Sequence, residues 1–293
     1  MRITRYNFRN EMTYGVLKDD YLLSLPSLAR QFNTVIPDKL EDFITDEEAQ
    51  DAVATILQNF HPSSSQNSII PLNEAKILAP IASPPKIVCL GLNYISHVAE
   101  TKEQKPKMPV LFMKPRTAIT GPNSKIIKCS YVNQLDYEGE LAIVIGKRAQ
   151  NVSLSEAFEY IFGYTILNDV SARDFQFIGS QWTSGKGFDT FAPTGPFIVT
   201  RDQLPETRNL SIRTWVNGKL RQDGNTKDMI FTVPEIIHYL SRVMTLEPCD
   251  IIATGTPSGV GMAMKPPVWL KGGDEVQIEI EGIGILRNTV EEV

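Results

Sequence analysis

The sequence is poor in the residues that most often declare a chemistry. Only three histidines stand among 293 residues, with three cysteines, Cys89, Cys129 and Cys249. An odd number of widely spaced cysteines forms neither a disulfide framework nor a zinc-binding spacing, so a reduced, cytoplasmic protein is expected. Basic residues are outnumbered, 29 Lys and Arg against 34 Asp and Glu, giving a formal net charge of -5. That balance speaks against nucleic-acid binding, which wants a basic face. No apolar run approaches the length of a membrane span, and MRITRYNFRNEM lacks the apolar stretch of a signal peptide. Neither nucleotide-binding glycine pattern occurs. There is no G-x-G-x-x-G, and five residues separate Gly179 from Gly185-Lys186, which Gly187 follows in place of Ser or Thr.

What remains is ordinary globular composition, 42% hydrophobic and 22% charged, sufficient for a sizeable core. Residues 1–75 read as a small N-terminal α/β module. Short strand-like pieces such as TYGVL come first, and a helix is expected over 46–60, where Ala49, Ala52, Val53, Ile56, Leu57 and Phe60 share one face. The Ser/Pro-rich HPSSSQNSIIP and APIASPP separate it from a main domain over 84–293. Strands are expected at 87–92, 110–113, 125–128, 135–145, 163–170, 196–200, 211–216, 219–222, 250–254 and 275–280. Asn217-Gly218 is a two-residue hairpin signal. Capping boxes, Ser153 with Glu156 and Thr232 with Glu235, start two helices. Strands outnumber helices, so the fold class is a mixed α+β domain built on antiparallel sheets.

The most informative stretch is QLDYEGELAIVIG, residues 134–146. Side chains alternate along a strand, so Asp136, Glu138 and Glu140 share a face that turns apolar at Ala142. An isolated E-x-E is usually a solvated acidic edge. Asp169 changes the weighing, because it closes a second apolar strand, GYTILNDV, on the face of Thr165 and Leu167. A buried unpaired carboxylate is costly, and a divalent ion shared by Glu138, Glu140 and Asp169 would neutralise all three. An all-oxygen ligand set selects Mg²⁺ or Mn²⁺, with Ca²⁺ next and Zn²⁺ disfavoured.

Of the histidines, His61 lies in the connector and His238 within a helix. His97 stands in NYISHVAE, where one helical turn would set it against Glu100. A carboxylate that orients an imidazole makes a general base. The Lys-rich TKEQKPKMP that follows reads as a mobile lid. Glycines in SGKGFDTFAPTGP and TGTPSGVG let backbone N–H groups approach a ligand carboxylate, with Arg173, Gln181, Lys186 and Thr256 as candidate partners for a small anion.

These tracts, together with GLNYISHVAE, PVLFMKPRTAITGP, GYTILNDVSARDFQ, VNGKLRQDGNTKDMIF, DIIATGTPSGVG and GDEVQIEIEGIG, resemble the fumarylacetoacetate hydrolase family in its short form, over residues 84–293. The resemblance implies a β-roll-like mixed fold, a homodimer, and Mg²⁺ or Mn²⁺ held by Glu138, Glu140 and Asp169. It implies His97 and Glu100 as a catalytic pair on a flexible lid, Lys186 beside the metal, and substrate contacts at Tyr94, Arg173, Gln181 and Thr256. The implied activity is cleavage of a C–C bond in an acylpyruvate-type 2-oxo acid, by way of a metal-stabilised enolate. Oxaloacetate decarboxylation and isomerisation of a 2-hydroxyhepta-2,4-diene-1,7-dioate would use the same residues. A non-catalytic metal-binding regulator is the rival of another class.

Overall fold

A computed structural model describes residues 1–61 and 68–293. In chain order, β1 (Arg2–Phe8), β2 (Glu11–Lys18) and β3 (Tyr21–Ser24) lead into α1 (Leu25–Gln31), α2 (Leu40–Thr45) and α3 (Glu47–Gln58). Then come β4 (Ile69–Pro71), β5 (Lys76–Ile77), β6 (Ile87–Gly91), α4 (Ile95–Thr101), β7 (Val110–Lys114), β8 (Ile119–Thr120) and β9 (Lys125–Lys128). The next group is β10 (Leu135–Asp136), β11 (Gly139–Ile145), β12 (Ile161–Asn168), β13 (Ser171–Ala172), α5 (Arg173–Gln176), α6 (Thr183–Lys186) and β14 (Ala192–Thr200). The chain closes with β15 (Ser211–Val216), β16 (Lys219–Asn225), α7 (Val233–Val243), β17 (Ile251–Ala253), β18 (Glu275–Ile280) and β19 (Gly284–Glu292). The architecture is α+β, as the sequence pattern implied.

One long sheet runs β4-β3-β2-β1-β14-β12-β11-β17-β6-β7, with β5 on β1 and β8 on β14. The antiparallel β1–β14 pairing joins the N-terminal strands to this sheet. A five-stranded sheet, β16-β15-β18-β19-β9, packs on one face, and the small pair β10-β13 lies apart. The strand β11 shows why the centre is dry. Leu141, Ile143 and Ile145 point toward Ile212, Ile278, Leu286 and helix α7. Ala142 and Val144 point the other way, toward Leu28, Phe43 and Val53 of the N-terminal helices. Both faces are covered, so the strand reads as a continuous apolar run rather than an alternating one.

Local signals mostly hold. Asp46 caps α3 by accepting from the Ala49 N–H at 2.9 Å. The Thr232–Glu235 box caps α7. Asn217 and Gly218 both take positive φ, 51° and 74°, as the two-residue hairpin requires. Two expectations fail. The Ser153–Glu156 pair forms, Oγ to Oε2 at 2.5 Å, yet only a 3₁₀ turn, Ala157–Tyr160, follows. The run from Ile161 is claimed by the central strand β12, whose burial outweighs the capping signal. The acidic strand expected over 135–145 is broken at Tyr137-Glu138, between β10 and β11.

Candidate functional site

The break in the acidic strand builds the site. The Glu138 N–H goes to the Asn168 side chain at 3.1 Å, and the Gly139 N–H to the Gln222 side chain at 3.0 Å. Gly139 has no room for a side chain, since a Cβ there would sit 2.5 Å from Thr214 Oγ1. The register of β11 on β12 sets Gly139 opposite Asn168 and Glu140 opposite Leu167. Asp169, next along, bonds back to the Glu138 carbonyl at 2.9 Å. Carboxylate oxygens of Glu138, Glu140 and Asp169 therefore come within 4.8 Å of one another, all three residues buried. Asp136, on the same nominal face, leaves the group. Past the break it accepts from the backbone N–H groups of Gly261 and Met262, at 2.8 and 3.1 Å, and from Arg173.

Three buried cations answer these charges. Arg173 donates from Nη2 to Glu138 at 2.6 Å, from Nε to Asp136 at 3.0 Å, and from Nη1 to Gln176 at 2.9 Å. Lys186 Nζ bridges Glu138 at 2.8 Å and Asp169 at 2.7 Å. Lys114 donates to the other Asp169 oxygen at 2.5 Å and to the Val170 carbonyl at 3.1 Å. Burial alone would raise the Glu138 carboxyl, but Lys186, Arg173 and His97 hold it well below the usual carboxylate range. Burial and the like charges of Asp169 and Glu138 push Glu140 well above it. Glu140 accepts from the Gly255 N–H at 2.8 Å, and among the described residues no cation bonds to it. Gly255 supplies that N–H from φ +96°, a conformation that suits glycine.

That imbalance is what a hard divalent cation would correct. Each carboxylate has about four lone-pair directions, so Glu138 and Asp169 can bond a lysine and coordinate an ion together. The three carboxylates and their all-oxygen chemistry fit Mg²⁺ or Mn²⁺.

The strands β6 and β17 run parallel, so the segments after them emerge on the same edge. One becomes α4 and the other the loop 254–261. On α4, His97 Nδ1 meets Glu100 Oε1 at 2.8 Å, and Glu100 Oε2 accepts the Gly259 N–H at 2.8 Å. His97 is 7% exposed. It lines a cavity of about 50 Å³ with Glu138, Glu140, Arg173, Gln176, Lys186 and Thr256, walled by apolar groups that include Phe112, Trp182 and Met262.

Two expected substrate residues stand elsewhere. Tyr94 is packed in the core, its hydroxyl buried without a hydrogen-bond partner. Gln181 is exposed and does not border the cavity. Gln176 borders it instead, three residues from Arg173 on one helical turn, a spacing the sequence carries. Lys114 gave no signal at all, since only the pairing of β6 with β7 brings it beneath Asp169.

Comparison with known proteins decides the family. The model of the fumarylacetoacetate (FAA) hydrolase C-terminal domain matches residues 86–291. The chain belongs to the fumarylacetoacetate hydrolase family. Among relatives, the mitochondrial oxaloacetate tautomerase FAHD2B of Bos taurus is 43% identical over 261 residues, 88% of this chain and 82% of that protein. Among solved structures, a fumarylacetoacetate hydrolase from Exiguobacterium antarcticum superposes with a TM-score of 0.84 at 37% identity, covering all of both chains. Maleylpyruvate hydrolase from Sphingobium sp. SYK-6, in complex with manganese(II) and pyruvate, gives 0.80 at 31% identity, covering 100% of this chain and 99% of that one. Like its relatives in the fumarylacetoacetate hydrolase family, the chain is an enzyme scaffold for a small molecule. None of its described helices is long and apolar enough to cross a membrane.

Proposed function

We propose that the protein is a divalent-metal-dependent enzyme that interconverts the enol and keto forms of a small 2-oxo diacid of the oxaloacetate class. The observation that carries this reading is the buried His97, held by the half-buried Glu100 and lining one cavity with Glu138 and Glu140. Tautomerisation needs a positioned proton carrier and stabilised negative charge on oxygen, and no external nucleophile.

Glu138, Glu140 and Asp169 would hold the cation, which would supply Lewis-acid polarisation of the 2-oxo acid. The remaining work falls to the chain. Arg173 and Lys186 offset the charges of Glu138 and Asp169, so that with a divalent ion bound the cavity would attract the substrate's carboxylate, and Gln176 adds an amide donor. Glu100 fixes the His97 ring through Nδ1, leaving Nε2 to exchange a proton with C3. In the enol-to-keto direction C3 gains a proton from His97 and the C2 hydroxyl gives its proton up to solvent. The C2=C3 bond becomes C2=O, and His97 recovers its proton from solvent. The apolar wall keeps the exchange dry, which strengthens each electrostatic contact.

Hydrolytic cleavage of an acylpyruvate is the second reading. It is favoured by the likeness to maleylpyruvate hydrolase and would use His97 to activate water. Two assays separate the readings: decay of enol absorbance in fresh oxaloacetate, and pyruvate release from acetylpyruvate, both with Mg²⁺. Tautomerase action requires the first and not the second. Pyruvate release with no effect on the enol would replace the first reading by the second.

A further inference from the structure

Gln222 lies on β16, in the sheet packed against the site, with no exposed surface and no place in the cavity wall. Its amide makes three hydrogen bonds. Oε1 accepts the Gly139 N–H at 3.0 Å, and Nε2 donates to Thr256 Oγ1 at 2.7 Å and to the Pro257 carbonyl at 2.8 Å. The orientation is fixed at both ends, because a backbone N–H can only donate and a carbonyl can only accept. Thr256 Oγ1 in turn donates to the Gly139 carbonyl at 3.0 Å. Its single proton and one lone pair are thereby used, and one lone pair is left for the cavity that Thr256 lines. Gly139 sits between Glu138 and Glu140.

We propose that Gln222 is a positioning residue that locks the Thr256 hydroxyl for the substrate while its other end holds the bend between the two carboxylates. This rests on the functional reading above, in which the cavity binds a 2-oxo acid. The two ends of the amide make separate demands. A side chain that keeps the acceptor for Gly139 but loses the donor should disturb Thr256 alone. One that loses both should disturb the metal site too.

The test is calorimetric and does not depend on turnover. Mn²⁺ affinity is measured first, then pyruvate affinity in saturating Mn²⁺. In Gln222→Glu a carboxylate oxygen meets the Pro257 carbonyl, so pyruvate binding should weaken about tenfold, the scale of one hydrogen bond. Mn²⁺ affinity should stay equal to or above that of the wild type. In Gln222→Met both affinities should fall. In a Thr256→Val background, Gln222→Glu should add less than a twofold loss, because the hydroxyl it acts through is gone. Equal pyruvate affinity in wild type and Gln222→Glu overturns the assignment, as does a full tenfold loss in the Thr256→Val background. Failure of the wild type itself to bind pyruvate overturns the functional reading, and this assignment with it.

Discussion

Glu140→Gln should make the metal-free protein more stable and take away most of its response to metal. Glu140 is 1% exposed and accepts one backbone N–H. At 4.8 Å, the outer limit of the carboxylate cluster, two like charges repel by about 3 kcal/mol at an effective dielectric of about 20. Lys186 offsets part of this, so the net relief on neutralising Glu140 is on the order of 1–3 kcal/mol. The glutamine carbonyl can still accept from Gly255, and its NH₂ can donate to Glu138 or Asp169. For a chain of this size each kcal/mol moves Tm by about 2 °C, so Tm without metal should rise by about 2–6 °C. At about 100 times its Kd, a bound ion adds about 2.7 kcal/mol to the wild type. The variant would lack one of the three proposed ligands and should gain little, so adding Mg²⁺ should erase most or all of its advantage. The sign with pH follows from the raised Glu140 carboxyl. A folded state that holds its proton more tightly than the unfolded chain loses stability as pH climbs above the ordinary carboxylate value of 4.5. The advantage of the variant should therefore shrink as pH falls toward that value. Scanning calorimetry with EDTA and with Mg²⁺ is the assay. A lower Tm for Glu140→Gln in EDTA, or a Mg²⁺ gain equal to that of the wild type, would refute the reasoning.

Arg173→Lys cannot reproduce a guanidinium fork that bonds Asp136, Glu138 and Gln176 together. It should cost about 3–5 kcal/mol in urea unfolding, and a loss under 1 kcal/mol would show the pairing to be dispensable. Chelation should abolish turnover, and either Mg²⁺ or Mn²⁺ should restore it; undiminished activity in EDTA would remove the ion from the account. The homodimer implied by the family resemblance should appear as twice the chain mass of 32.8 kDa in light scattering at micromolar concentration, against a stable monomer if the implication is wrong.

Legibility differed by feature. That Glu138, Glu140 and Asp169 come together was legible because Glu138 and Glu140 flank the start of one strand and Asp169 follows the end of its partner, so the β11–β12 pairing makes them neighbours. The role of Asp136 could not, because the bend at Tyr137-Glu138 depends on Asn168 and Gln222, which are 30 and 83 residues from their backbone partners. Lys114 and Gln176 differ in this respect. Lys114 reaches Asp169 only through the strand order of the sheet. Gln176 lies three residues from Arg173, within reach of helical spacing, and borders the cavity that Gln181 does not. The helix expected from Ser153 failed because a capping signal says where a helix could begin, while burial in β12 decides that none does. The strand β19 is not evident in the sequence because its polar residues, Arg287, Asn288, Thr289, Glu291 and Glu292, interrupt the apolar pattern.

The central claim is that His97 moves the proton at C3, and the most direct test compares enol decay of oxaloacetate in wild type and His97→Gln, each saturated with Mn²⁺. Loss of a general acid–base group costs about 10²–10⁴-fold. A loss of that size is expected in His97→Gln with Mn²⁺ affinity unchanged, and a smaller loss in Glu100→Gln. Enol decay in His97→Gln as fast as in the wild type would contradict it.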